Sequence, residues 1–135
     1  MSYDIYLTDP VTNDIIILDH PHQMNGGTYA LGGTQEAWLN VTWNYSDWYY
    51  KDYAFGEKGI RAIYGLSGAQ SIPVLEQAIK GLEDSPDELP EHAIKGYESQ
   101  GVTGYWIPTK ANAIKPLYQL LALARMRPDG VWEGD

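Results

Sequence analysis

Gly26-Gly27-Thr28-Tyr29-Ala30-Leu31-Gly32-Gly33-Thr34 runs into Gln35-Glu36-Ala37-Trp38-Leu39-Asn40-Val41-Thr42-Trp43, and that into Asn44-Tyr45-Ser46-Asp47-Trp48-Tyr49-Tyr50-Lys51-Asp52-Tyr53. From Glu36 to Trp43 apolar residues alternate with the rest. Ala37, Leu39, Val41 and Trp43 are expected on one face, and Glu36, Trp38, Asn40 and Thr42 on the other. A period of two with β-branched and aromatic residues marks a half-buried antiparallel strand. Trp38 falls on the polar face. It is either covered by a helix or loop, as most tryptophans are, or an exposed anchor for a partner.

After Trp43 the period changes. Tyr45, Trp48, Tyr49 and Tyr53 are spaced i, i+3, i+4 and i+8, one face of a helix. Asn44 or Ser46 is the expected cap and Gly56 the expected stop. An aromatic stripe at this spacing is read as core. Gly26-Gly27 and Gly32-Gly33 match neither dinucleotide-binding nor P-loop spacing and lead into a strand, so they read as tight turns or bulges.

The chain has 135 residues, enough for one domain, 1–135, with a substantial core. It contains no cysteine, which excludes disulfides and cysteine metal sites. No apolar run reaches the length of about 18 residues needed to span a membrane, and no basic-then-apolar leader is seen. The expectation is a soluble cytoplasmic protein with no membrane partner and no cofactor.

Eighteen acidic against nine basic residues give a net charge of -9. The charge is uneven: the first cation is Lys51, after Asp4, Asp9, Asp14, Asp19, Glu36 and Asp47. A second acidic segment holds Glu83, Asp84, Asp87, Glu88, Glu91 and Glu98 against Lys95. Binding to nucleic acid draws on Lys and Arg that neutralise phosphates, so no direct nucleic-acid contact is expected. An acidic face suits a basic partner instead; the plainer reading is a solvated surface. Asp84, Asp87, Glu88 and Glu91, with Trp38, are the candidate partner-binding residues.

Working outward, Tyr3–Leu7 reads as a strand, residues 8–13 as a turn, and Asp14–Asp19 as a second strand forming a hairpin with the first. His20-Pro21-His22 reads as a loop. Asp19, His20 and His22 have metal-ligand chemistry, but no second cluster lies near in sequence, so no metal is expected. Toward the C-terminus, Ser71 is the expected cap of a helix with Pro73 in its first turn. Leu75, Ala78, Ile79 and Leu82 form its buried face, and Glu76 and Lys80 an exposed pair. Residues 83–90 are an acidic connection, 91–99 a short helix and Tyr105-Trp106-Ile107 extended. Thr109 caps a last helix in which Leu117, Leu120, Leu121 and Ala124 face the core. Pro116 either kinks it or starts a second helix. Arg127-Pro128-Asp129-Gly130 is a turn, after which Trp132 folds back. The fold class is α+β, an N-terminal antiparallel sheet with C-terminal helices packed on it.

Tyr3-Asp4-Ile5-Tyr6-Leu7, Gly26-Gly27-Thr28-Tyr29, Ala37-Trp38-Leu39-Asn40-Val41-Thr42 and Arg127-Pro128-Asp129-Gly130-Val131-Trp132 resemble a group of small uncharacterised proteins of bacteriophages and prophages. The resemblance covers nearly the whole chain and carries no catalytic motif. It implies a context, a bacterial host cell, in which small accessory proteins bind a host or defence protein.

No nucleophile elbow is present, and the carboxylate pairs lie in a solvated segment where nothing raises a pKa, so catalysis is not expected. Two functions remain. One is an interaction protein, such as a phage-encoded inhibitor of a nuclease, presenting acidic and aromatic residues to a basic surface. The other binds a small, nucleotide-like ligand in an aromatic pocket of His20, His22, Tyr29 and Trp38. Self-association into a homo-oligomer stays open.

Overall fold

A computed structural model describes residues 1–22 and 33–135. The expectations for Gly26, Gly27, Tyr29 and Gly32 lie outside the described residues.

The chain is α+β, with helices packed on an antiparallel sheet, as its periodicities predict. Strand β1 (Ser2–Thr8) is the centre of a three-stranded sheet of order β4-β1-β5. Its alternation puts Tyr3, Ile5 and Leu7 into the core. β4 (Trp38–Thr42) pairs with it so that Tyr3 faces Val41 and Ile5 faces Leu39. On the other edge β5 (Val131–Gly134) places Trp132 opposite Leu7. β5 is covered on its outer side by the 65–68 segment: the Gly65 amide donates to the Trp132 carbonyl and the Trp132 amide to the Leu66 carbonyl, both at 2.9 Å.

The expected hairpin between the first two strands is replaced by a different pairing. Both edges of β1 are already occupied, so Ile15 makes only a bridge to Thr8, and the Ile16 amide donates to the Leu7 carbonyl. The chain then departs as β2 (Ile17–His22) and pairs with β3 (Thr34–Glu36) in a separate two-stranded sheet. His20 and His22 therefore stand on a strand rather than in the expected loop.

Ala37, Leu39 and Val41 are fully buried together, but Trp43 is 38% exposed. The strand stops at Thr42, whose hydroxyl accepts the Asn44 amide at 3.3 Å and starts a 3₁₀ turn, Trp43–Tyr45. That turn lifts Trp43 out of the strand's alternation and stacks it on the Tyr3 ring, 5.4 Å between centroids, with Arg61 against both rings. Thr42 thus takes the capping role expected of Asn44 or Ser46. The following helix α1 (Ser46–Tyr49) is a single turn, so it ends well before Gly56. Its aromatic stripe is core as expected at Tyr45, Trp48 and Tyr49, which are buried, but Tyr53 lies beyond the helix and is only partly buried against that core.

Residues Gly56–Ile63 are 3₁₀, broken at Gly59, where φ is +60° and the Tyr50 ring leaves no room for a Cβ. α2 (Gly68–Asp84) is capped by Ser67 in a reciprocal box with Gln70, not by Ser71. Ser71 is buried and accepts the Trp132 indole N–H at 2.7 Å. Glu76 reaches Arg125 across to the next long helix, and Lys80 pairs with Asp84, so the expected Glu76/Lys80 pair is not formed. α3 (Glu91–Ser99) is present as expected, whereas Gly104–Trp106 is a 3₁₀ turn rather than extended. α4 (Lys110–Met126) starts at Thr109, whose hydroxyl accepts the Asn112 amide, and runs through Pro116 as one helix. Leu75, Ala78, Ile79 and Leu82 of α2 and Leu117, Leu120, Leu121 and Ala124 of α4 join the sheet's inner face in one buried cluster.

Candidate functional site

The aromatic residues of the central stretch do more than fill the core. The Tyr45 hydroxyl donates to the Tyr105 carbonyl, the Trp48 indole N–H to Pro108 at 2.8 Å and the Tyr49 hydroxyl to Ala113 at 2.7 Å. Trp48 and Tyr49 would otherwise leave buried donors unsatisfied, at a cost of about 1–3 kcal/mol each. Together they hold the 105–113 segment against α1. Burial pushes the Tyr45 and Tyr49 phenols well above their ordinary value, so both stay neutral donors.

This clamp forms one side of a cleft of about 340 Å³. α1 and the residues flanking it contribute Asn44, Asp47, Trp48 and Lys51. The 85–90 connection contributes Asp87, Glu88, Leu89 and Pro90, and Tyr97 of α3 and Pro108 complete the lining. Among the described residues, three carboxylates and one ammonium thus line the cleft together with aromatic and proline side chains.

The four acidic residues singled out from the sequence are not equivalent. Asp87 and Glu88 line the cleft; Asp84 and Glu91 do not. Asp84 is paired with Lys80 at 2.7 Å and Glu91 with Lys95 at 3.6 Å, both exposed i, i+4 pairs worth a few tenths of a kcal/mol. Asp87 accepts the Tyr53 hydroxyl at 2.8 Å. Local desolvation, with the Asp87 carboxylate beside it, holds that phenol above its ordinary value. Glu88 faces Lys110 at 3.3 Å, and Lys110 Nζ also donates to the Ser85 carbonyl at 2.7 Å.

Lys110 is the residue that sequence reasoning missed with the clearest signal. It opens α4, and a cation at a helix N-terminus opposes the helix dipole. Such a cation calls for an anion close by, and the acidic connection provides it. The Lys110 side chain is only 11% exposed while that of Glu88 is 70% exposed, so the cation is the fixed partner and the carboxylate the accessible one. Lys110→Ala is expected to lower stability by about 1–3 kcal/mol, chiefly by leaving the Ser85 carbonyl without its donor, and to raise amide exchange in residues 85–90. Unchanged exchange there, measured by hydrogen–deuterium mass spectrometry, would show that Lys110 does not hold the connection. Asp47, Trp48, Lys51 and Tyr97 are not legible as site residues in the sequence, because only the tertiary packing brings α1 beside the connection.

Trp38 lies elsewhere. It is half-buried opposite Tyr6 on the sheet face away from the helices and does not line the cleft. His20 and His22 line a second cavity of about 460 Å³ with Ile17, Met126 and Arg127. Trp38 is not among the described residues lining it, and Tyr29 lies outside the described residues. His22 Nε2 donates to the Glu36 carbonyl at 2.6 Å. Among the described residues, no three His, Cys, Asp or Glu side chains are grouped to hold a metal ion. Nor, among them, is any helix long and apolar enough to cross a membrane.

Comparison with protein-family models, curated proteins and solved structures finds no match for this chain.

Proposed function

We propose that this chain is a non-enzymatic interaction protein that docks a basic surface of a partner protein onto its acidic cleft. The observation that carries this reading is the convergence of Asp47, Asp87 and Glu88 from two elements on one aromatic-lined concavity. In the context implied by the resemblance to phage proteins, the partner is a basic host or defence protein, such as a nuclease, and the effect is inhibition. The charge balance supports a protein rather than a nucleic acid as the direct contact. The alternative, a nucleotide-like ligand held by His20, His22, Tyr29 and Trp38, gains no support from Trp38, which faces away from the helices.

The test is association kinetics with a partner captured from host lysate and then purified. Complementary charges steer encounter, so the on-rate should fall about tenfold or more as salt rises from low to well above physiological. Reversing Asp47, Asp87 and Glu88 to Lys should lower it similarly. Reversing Glu76, on the α2–α4 face, is the control and should do less. An on-rate indifferent to both salt and the three reversals would leave the carboxylates as solvation and sink the proposal.

A further inference from the structure

We propose that the cleft between α1 and the 85–90 connection receives the guanidinium of a single arginine side chain of the partner; this rests on the reading above and makes it specific. At about 340 Å³ the cleft is near the lower limit for small-ligand sites, so it suits one inserted side chain better than a nucleotide. Its lining asks for two properties in one guest. Tyr97, Leu89 and the prolines at 90 and 108 line it beside the largely buried Trp48, and the carboxylates arrive from separate elements, Asp47 from α1 and Asp87 and Glu88 from the connection. Arginine combines an apolar stem with a planar, weakly hydrated cation that stacks on rings and forks onto carboxylates. A lysine ammonium is compact and strongly hydrated, and gains less from such a site.

The carboxylates are free to accept it. Asp47 has no donor among the described residues. Asp87 uses Oδ2 for Tyr53, and Glu88 presents Oε1 to Lys110, which leaves Oδ1 and Oε2 for a guest. Tyr53 and Lys110 already draw those two side chains toward one position, which lowers the ordering left to binding. Among the described residues Lys51 is the one cation in the lining, and it opposes the guest.

The test titrates N-acetyl-arginine amide into the full chain and follows the Trp48 indole N–H and the Leu89 and Tyr97 amide signals by NMR. Saturable shifts confined to these residues are expected, with N-acetyl-citrulline amide and N-acetyl-lysine amide each binding about fivefold or more weakly. Asp47→Asn and Asp87→Asn should each weaken arginine about fivefold, since each removes one charge-assisted contact at a solvent-open site. Lys51→Ala should tighten it about twofold, an effect that loss of structure cannot produce. Asp87→Asn keeps an acceptor for Tyr53, and Asp47 makes no hydrogen bond or ion pair among the described residues, so both variants should fold. No shift at the cleft, equal binding of citrulline or lysine, or full binding by both carboxamide variants would overturn the assignment. If the arginine probe fails while partner association still responds to salt and charge reversal, the single-side-chain assignment falls and the acidic docking surface stands.

Discussion

Trp132→Ala is expected to lower the unfolding free energy by about 3–5 kcal/mol, the range for deleting a buried aromatic side chain. Trp132 is fully buried, lies opposite Leu7 on the central strand, and is the largest fully buried side chain among the described residues. Three effects add. Its apolar area returns to water, a cavity opens between the sheet and α2, and the Ser71 hydroxyl loses the indole N–H that it accepts at 2.7 Å. The Ser71 hydroxyl still donates to the Gly68 carbonyl at 2.8 Å, so only its acceptor side is orphaned. Trp132→Phe should cost less, because most of the area stays. Urea unfolding of both variants checks this. A loss under about 1 kcal/mol for the alanine variant would mean that β5 is not an integral part of the core.

Gly81→Ala is the second large effect, and its sign is set by competition. In an exposed helix this change would stabilise by about 1 kcal/mol, since glycine is a poor helix former. At position 81 an added Cβ would lie 1.6 Å from the Tyr53 carbonyl oxygen and 2.6 Å from its carbon. That neighbour is backbone, so no side-chain rotation relieves the overlap, and α2 or the 50–55 turn must move. Overpacking of this kind typically costs about 1–3 kcal/mol and occasionally more. With a main-chain overlap this deep, a net loss near the upper end, about 3 kcal/mol, is expected after the helix gain is offset. Because Tyr53 donates to Asp87, the same displacement should disturb the cleft, visible as shifted Leu89 and Tyr97 signals. A variant as stable as the parent would show that α2 and the turn are not in the contact described.

The segments legible in the sequence are those whose signal is local. The buried faces of α2 and α4, the strand through Leu39 and Val41, and the Thr109 cap each follow from residues within a few positions of one another. The errors fall where a distant neighbour intervenes. Ser71 has the side chain of a cap, but Ser67 with Gln70 makes the better box, and Trp132 recruits Ser71 instead. Trp43 continues the alternation in sequence but leaves it in space, because Thr42 starts a turn and the Tyr3 ring offers a stacking partner.

The candidate site divides in the same way. Its acidity was readable, because net charge is a sum over residues that needs no geometry. Which carboxylates face a cleft was not readable. Asp84 and Glu91 satisfy one-turn pairs on their own helices, whereas Asp87 and Glu88 are held by Tyr53 and Lys110 from elsewhere in the chain.

The sequence by itself determined the α+β class, the core faces of the two long helices and the acidic character of the surface. Those properties rest on periodicity and charge, which are carried by neighbours along the chain. Only the tertiary structure decided that β1 lies between β4 and β5, that the second β-branched run leaves it to pair elsewhere, and that Asp47 joins Asp87 and Glu88. Strand partners and cleft walls are chosen by which distant segments bury the most apolar area and satisfy each other's backbone groups. A strand's own pattern says which face it buries but not which edge will meet it.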